Sequence, residues 1–350
     1  MYPRRDSPLR ASPRQRCCIE ADAGCSASAG MDEHEQPAGA YRTLLLFARS
    51  ASADALSCAP LLLCAGVDHA SQVRRAEVAP LRAAVVWRLV DTSFVLIFRR
   101  PHGALAEFVG SIWLYRGEAP ACETELVLPT GDLDLVIDLG QERVVVSGPS
   151  TRPFLLGAAE RRETMGMVFR VGAAAALLGV PLAELQNCRV PLAELWGSSA
   201  SELHERPLAA GGPVAKLDAV EQVLSARLGR IAHRPHPVAG SAAAQIARCP
   251  ERCRIAELSG TLGFSARRLE QVFRTEVGLT PKAYQRLHRF RQALVRIDRA
   301  AEIDWAAFAL ERGYYDQSHF IGEFRAHSGL TPSDYLASRG TDLNHVPIAA

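Results

Sequence analysis

Two stretches near the C-terminus of this chain superimpose at an offset of 51 residues. Leu269 falls on Phe320, Phe273 on Phe324, the run Gly278-Leu279-Thr280-Pro281 on Gly329-Leu330-Thr331-Pro332, and Tyr284 on Tyr335. Self-similarity at a fixed spacing means that one supersecondary unit is built twice, and the fold must accommodate both copies.

Each copy reads as helix, tight turn, helix. The first turn is marked by Gly263-Phe264-Ser265 and the second by Gly313-Tyr314-Tyr315-Asp316, so the second carries one extra residue. Glycine tolerates the positive φ that ends a helix, and Ser265 or Asp316 can cap the next helix by accepting from its free N–H groups. The preceding helices are expected over Ile255 to Leu262 and Asp304 to Arg312. Gly278 and Gly329 close the second helices, and the Thr-Pro that follows each starts another, since proline is tolerated at the first helical position. A helix from Pro281 to about Ile297 therefore joins the units. Its Tyr284, Leu287, Phe290, Leu294 and Ile297 recur at helical spacing on one face. Arg286, Arg289, Arg291 and Arg296 lie on the other, suited to phosphates.

Net charge over the whole chain is only +2, which diagnoses no partner, but its distribution is uneven. Residues 251–300 hold 11 Lys and Arg against 5 Asp and Glu, a net of +6, and residues 301–350 hold 3 against 7, a net of −4. On the first unit's second helix, Leu269, Val272 and Phe273 must face inward, so Arg267, Gln271 and Arg274 project outward. Arginine and glutamine read guanine and adenine edges through paired hydrogen bonds, which makes Arg267 and Gln271 the first candidates for base contact and Arg268, on the flank, a phosphate contact. In the second unit the outward positions are Ser318, Gly322 and Arg325, with Gln317 and His319 beside them; His319 could equally pack within its own unit.

The string Gly-Tyr-Tyr-Asp-Gln-Ser-His-Phe from Gly313, then Phe324 and Gly329-Leu330-Thr331-Pro332, resembles the signature of the AraC family over residues 240–338. The resemblance implies an all-α domain of seven helices, with two helix-turn-helix units joined by a long helix. It implies sequence-specific binding of duplex DNA, with helices 266–276 and 317–327 in successive major grooves, and the partners of such regulators: RNA polymerase, a small-molecule effector, a second copy of the chain. Members often carry arginine where this chain has Gly322, so most base discrimination is expected from the first unit and positioning from the second. Val127-Leu128-Pro129, Leu177-Leu178-Gly179-Val180-Pro181 and Pro191-Leu192-Ala193-Glu194-Leu195-Trp196 also resemble an uncharacterised N-terminal domain attached to such regulators.

The first half reads as mainly β. Val85 to Phe98 is β-branched and aromatic, Ala104 to Trp113 is compatible with helix, and Glu125 to Leu128 and Arg143 to Val146 are strand-like. Between them, Leu133, Leu135, Ile137 and Leu139 alternate with Asp132, Asp134, Val136 and Asp138, the period of two of a half-buried strand. Short helical turns follow at Leu182–Leu185 and Leu192–Trp196. After Pro213 the stripe Leu217, Val220, Leu224 and Leu228 leaves Lys216, Asp218 and Arg227 outside. The expected class is therefore α+β, a mainly β, sensor-like domain over 85–230 followed by the helical domain over 241–340. A linker at 231–240, a disordered extension at 1–84 rich in Ser, Pro and Arg, and a tail at 341–350 complete the chain.

Rival chemistry has little support. A metal-dependent barrel needs clustered His and Glu ligands, yet residues 85–200 contain only His102, and Asp132, Asp134 and Asp138, adjacent on one strand face, serve turns and solvent more readily than a cation. Cys122 and Cys188 lack an activating constellation apart from Arg189, and the nine cysteines show neither disulfide nor zinc spacing. No enzyme activity, metal or cofactor is expected. In a sensor domain, Trp113, Arg116 and Arg170 are the candidate effector-lining residues. No apolar run is long enough to span a bilayer, and a cytoplasmic protein is expected.

Overall fold

The computed structural model describes residues 73–75, 84–89 and 95–348, except 118–123, 158–162, 232–233, 300–301 and 340–342, with side chains from Ile97 onward. The extension expected at 1–84 thus lies mostly outside the described residues. Its end does not: β1 (Val73–Arg75) pairs antiparallel with β2 (Ala84–Leu89), so the sheet starts upstream of residue 85.

The N-terminal half is built on an eight-stranded sheet in the order β1-β2-β3-β4-β9-β6-β7-β10. Here β3 is Val95–Arg99, β4 Val109–Arg116, β6 Asp134–Asp138, β7 Arg143–Ser147, β9 Glu163–Phe169 and β10 Arg189–Pro191. The alternation around β6 performs as its period requires, because Leu133, Leu135, Ile137 and Leu139 are all buried. They pack with Ile112, Leu114, Met165 and Met167 of neighbouring strands and with four helices: α1 (Ala174–Leu178), α2 (Leu192–Trp196), α3 (Glu202–Ala209) and α4 (Pro213–Leu228). The helix-compatible stretch at Ala104 to Trp113 is instead a 3-10 turn, Gly103–Glu107, running into β4.

On α4, Leu217, Val220 and Leu224 enter this core, and the polar residues expected outside are tied down. Lys216 is buried, and its ammonium reaches Glu163 Oε1 at 2.8 Å. Asp218 pairs with the buried Arg99, and the Arg227 guanidinium lies 4.6 Å from the Trp196 ring centroid. Asp138 accepts from Gly140 N and Gln141 N, a turn-closing role. Asp132 lies before β6 rather than on it and faces Arg291 at 3.6 Å. Among the described residues no three His, Cys, Asp or Glu side chains gather as metal ligands, and no helix is long and apolar enough to cross a membrane.

Among the described residues seven helices make up the C-terminal domain: α5 (Pro237–Arg248), α6 (Ile255–Thr261), α7 (Ala266–Glu276), α8 (Pro281–Arg299), α9 (Trp305–Glu311), α10 (Gln317–Ser328) and α11 (Pro332–Ser338). The stretch expected as linker up to residue 240 already contributes the first turn of α5, started by Pro237.

The two halves meet over a close-packed junction. Leu128 and Val346 belong to the helical domain's core. The expected tail at 341–350 supplies β11 (His345–Ile348), which pairs with β5 (Thr124–Val127), itself paired with β8 (Phe154–Gly157). Leu128 N donates to Asn344 O at 2.7 Å, and His345 Nδ1 lies 2.7 Å from Glu125 Oε2. Glycines permit the approach: a Cβ on Gly131 would stand 2.6 Å from Leu287, and one on Gly278 would stand 2.4 Å from Pro149. Arg291 donates to Thr130 O at 2.9 Å, and His327 Nδ1 lies 2.9 Å from Thr151 O.

Candidate nucleic-acid interface

The two units are built alike. In the first, Gly263 adopts φ 73°, and the turn is closed by Phe264 N donating to Ser259 O at 2.9 Å. Ser265 Oγ then accepts from Arg268 N at 3.2 Å, capping α7. In the second, Gly313 adopts φ 72°, Tyr314 N donates to Ala309 O at 3.0 Å, and Asp316 Oδ1 accepts from His319 N at 2.7 Å. These are the caps expected from the sequence. The extra residue of the second turn is Tyr315, whose side chain is exposed and whose N–H donates to His319 Nδ1 at 3.2 Å. Removing the Asp316 cap with alanine is expected to cost about 1 kcal/mol, measurable as a lowered urea midpoint; an unchanged midpoint would show that another group satisfies the His319 N–H.

On α7, Leu269, Val272 and Phe273 are buried while Arg267, Arg268, Gln271 and Arg274 are exposed, so the helical wheel sorts both faces correctly. Arg268 Nη1 donates to Gln271 Oε1 at 3.0 Å, and Arg274 Nε lies 3.1 Å from Glu270 Oε1. Arg267 engages no other group among the described residues. On α10, Phe320 and Phe324 are buried and Gln317, Ser318, Gly322 and Arg325 are exposed, and a Cβ on Gly322 would meet nothing within 4 Å.

The linker helix α8 departs from expectation. Its apolar face is as read, with Tyr284, Leu287, Phe290, Leu294 and Ile297 all buried. Its arginines are not a free row of cations. Arg289 turns inward, with Nη2 2.8 Å from Glu323 Oε2, Nη1 donating to Gly313 O at 3.0 Å, and the guanidinium 4.8 Å from the Tyr314 ring centroid. Arg286 Nε lies 2.8 Å from Glu323 Oε1, and His319 Nε2 is 3.4 Å from the same oxygen. Arg291 is spent on the domain junction, and Arg296 stays exposed. Burial, opposed mainly by Arg289, holds the Tyr314 phenol above its usual range. Burial, aided by Arg291, pushes His288 down to about 3, so this imidazole beside Tyr284 is neutral. Glu323 gathers these groups, and the helical wheel of α10 alone gives no sign of it.

The candidate effector residues do not converge. Trp113 lies against Gly166, where a Cβ would stand 2.4 Å from its ring. Arg116 pairs with Glu163 at 3.3 Å, and Arg170 Nε donates to Ala106 O at 2.6 Å. Arg170 alone borders a crevice at the domain junction, with Gly172, Leu182, Glu276 and Val277, whose 20 Å³ is the space of one water.

Two capped helix pairs, joined by one helix and each presenting a polar second helix, define a double helix-turn-helix DNA-binding domain. A family profile described as a helix-turn-helix domain matches residues 258–338, and one described as a domain of unknown function, DUF6597, matches residues 98–191. The chain thus carries a DNA-binding helix-turn-helix domain of the AraC type over residues 258–338. Comparison with curated proteins finds no match. Among solved structures the chain is similar to ToxT from Vibrio cholerae O395, at 13% identity over 64% of this chain and 95% of that one, with a TM-score of 0.33. ToxT of the same strain bound to (E)-4-(8-methylnaphthalen-1-yl)but-3-enoic acid matches at 13% identity over 64% and 97%, with a TM-score of 0.34. An apo variant of ToxT from strain SCE256 matches at 12% identity over 71% and 98%, with a TM-score of 0.31.

Proposed function

We propose that α7 and α10 enter successive major grooves of one duplex, with α7 carrying most of the sequence discrimination. The observation that carries this reading is the outward face of α7: Arg267 and Gln271 are exposed, the helix is capped and buried behind them, and Arg267 has no competing partner among the described residues. The nineteen residues of α8 span roughly 28 Å at 1.5 Å per residue, comparable to the about 34 Å that separates equivalent groove positions. Arg267 and Gln271 contact bases; Arg268, Arg274 and Arg325 contact phosphate; Gln317 and Ser318 position the second unit. Arg286 and Arg289 are assigned instead to the internal framework by their bonds to Glu323.

The test is binding of the full chain to an operator recovered from its own genome by mapping bound DNA. Arg267→Ala is expected to cost about 1–3 kcal/mol and to relax selectivity at one base pair. Ser318→Ala, which loses one short hydroxyl, is expected to cost much less. Equal losses from both substitutions would defeat the asymmetry.

A further inference from the structure

The repeat is chemically unequal at one buried position. At the offset of 51, Val272 of the first unit corresponds to Glu323 of the second. Val272 is an ordinary core residue, 4% exposed. Glu323 occupies a site of similar burial, 7% exposed, but is held there by charge: Arg286, Arg289 and His319 all converge on its two oxygens. Arg289 is fixed by its further bonds to the turn and is 12% exposed at the side chain, whereas Arg286 is 45% exposed and, among the described residues, pairs only with Glu323. Arg286 therefore lies on the flank of α10, the place where groove-wall phosphates pass a recognition helix, with its charge already matched.

We infer that Glu323 is a specificity-determining residue that acts as an internal substitute for phosphate, withholding Arg286 from DNA. Resting on the DNA-binding reading above, this gives the second unit a distinct job. Sequence-independent affinity comes from the number of cations that can replace counterions on the duplex. Glu323 removes one such cation from a unit that reads few bases. Indiscriminate attraction is thereby kept low where it would not be matched by recognition, and the dependence on contacts made by α7 rises.

The experiment is a salt titration of the full chain with a labelled duplex of scrambled sequence, and with the mapped operator, between about 50 and 200 mM salt. In Glu323→Gln, an amide of the same shape, the logarithmic salt slope on scrambled DNA is expected to steepen by about 0.9, one released cation. The ratio of operator to scrambled affinity is expected to fall. Arg286→Gln alone is expected to leave the wild-type slope nearly unchanged, and the double variant to return to it. A purely structural role for Glu323 would lower affinity without steepening the slope, and that result overturns the proposal. So does a slope about 0.9 shallower in Arg286→Gln, which holds even where Glu323→Gln fails to fold, because it would mean that Arg286 already contacts phosphate. Wild-type protein that binds neither duplex would remove the DNA-binding reading and the proposal with it; wild-type binding with unaltered slopes in the Glu323→Gln variant sinks the proposal alone.

Discussion

Replacing Phe320 with alanine is expected to destabilise the second helix-turn-helix unit by about 3–5 kcal/mol. The ring is fully buried and is enclosed by Trp305, Phe308, Tyr314 and Phe324, with ring centroids at 5.9, 5.3, 5.1 and 5.8 Å. Four aromatic neighbours cannot collapse into the vacated space without leaving their own packing, so both the transfer free energy and the cavity are lost. The measurement is the urea midpoint of the purified variant beside wild type. A loss below about 1 kcal/mol would mean that the surrounding rings relax freely, contrary to the packing described.

Gly278→Ala should be costly for two separable reasons. The residue sits at φ 84°, where a side chain costs about 1–2 kcal/mol. Its Cβ would also stand 2.4 Å from Pro149 Cγ and 2.9 Å from Leu182 O, across the domain junction, and overpacking of this kind costs about 1–3 kcal/mol. Gly263 supplies the control, because it adopts φ 73° with nothing within 4 Å of the added carbon. Gly263→Ala is thus expected to show the backbone penalty alone, and Gly278→Ala to unfold at a clearly lower temperature than it. Coincident melting curves for the two variants would show that the junction contributes nothing at this point.

Features set by neighbours in sequence were legible; features set by partners far along the chain were not. The caps at Ser265 and Asp316, the turn glycines, the inward residues of α7 and the alternation around β6 all follow from local rules of period and backbone conformation. The helical stripe of α4 puts Lys216 outside because it says nothing of Glu163, 53 residues earlier, which waits on β9. Arg286 and Arg289 looked like a phosphate-binding row because their partner lies on another helix. The signal for that partner was nonetheless present: the repeat sets an acid, Glu323, over the apolar Val272, and an acid at a core position demands a cation. Ala104 to Leu105 does carry helical character, but it extends only to the 3-10 turn, and the alternating burial of β4 takes over after Phe108. The residues after 340 offered no pattern at all, since a four-residue strand with only Val346 buried takes its conformation from β5.

The pairing of β11 with β5 has a consequence for biosynthesis. His345 and Glu125 stand side by side but are 220 residues apart in the chain. As the polypeptide emerges from the ribosome, β5 and β8 can form a hairpin early, yet one edge of β5 stays open until the whole helical domain has been translated. An unpaired strand edge invites pairing with other nascent chains. The second edge of β5 is therefore paired only after α5 to α11 have been made, so the three-stranded sheet is completed later than the hairpin that begins it.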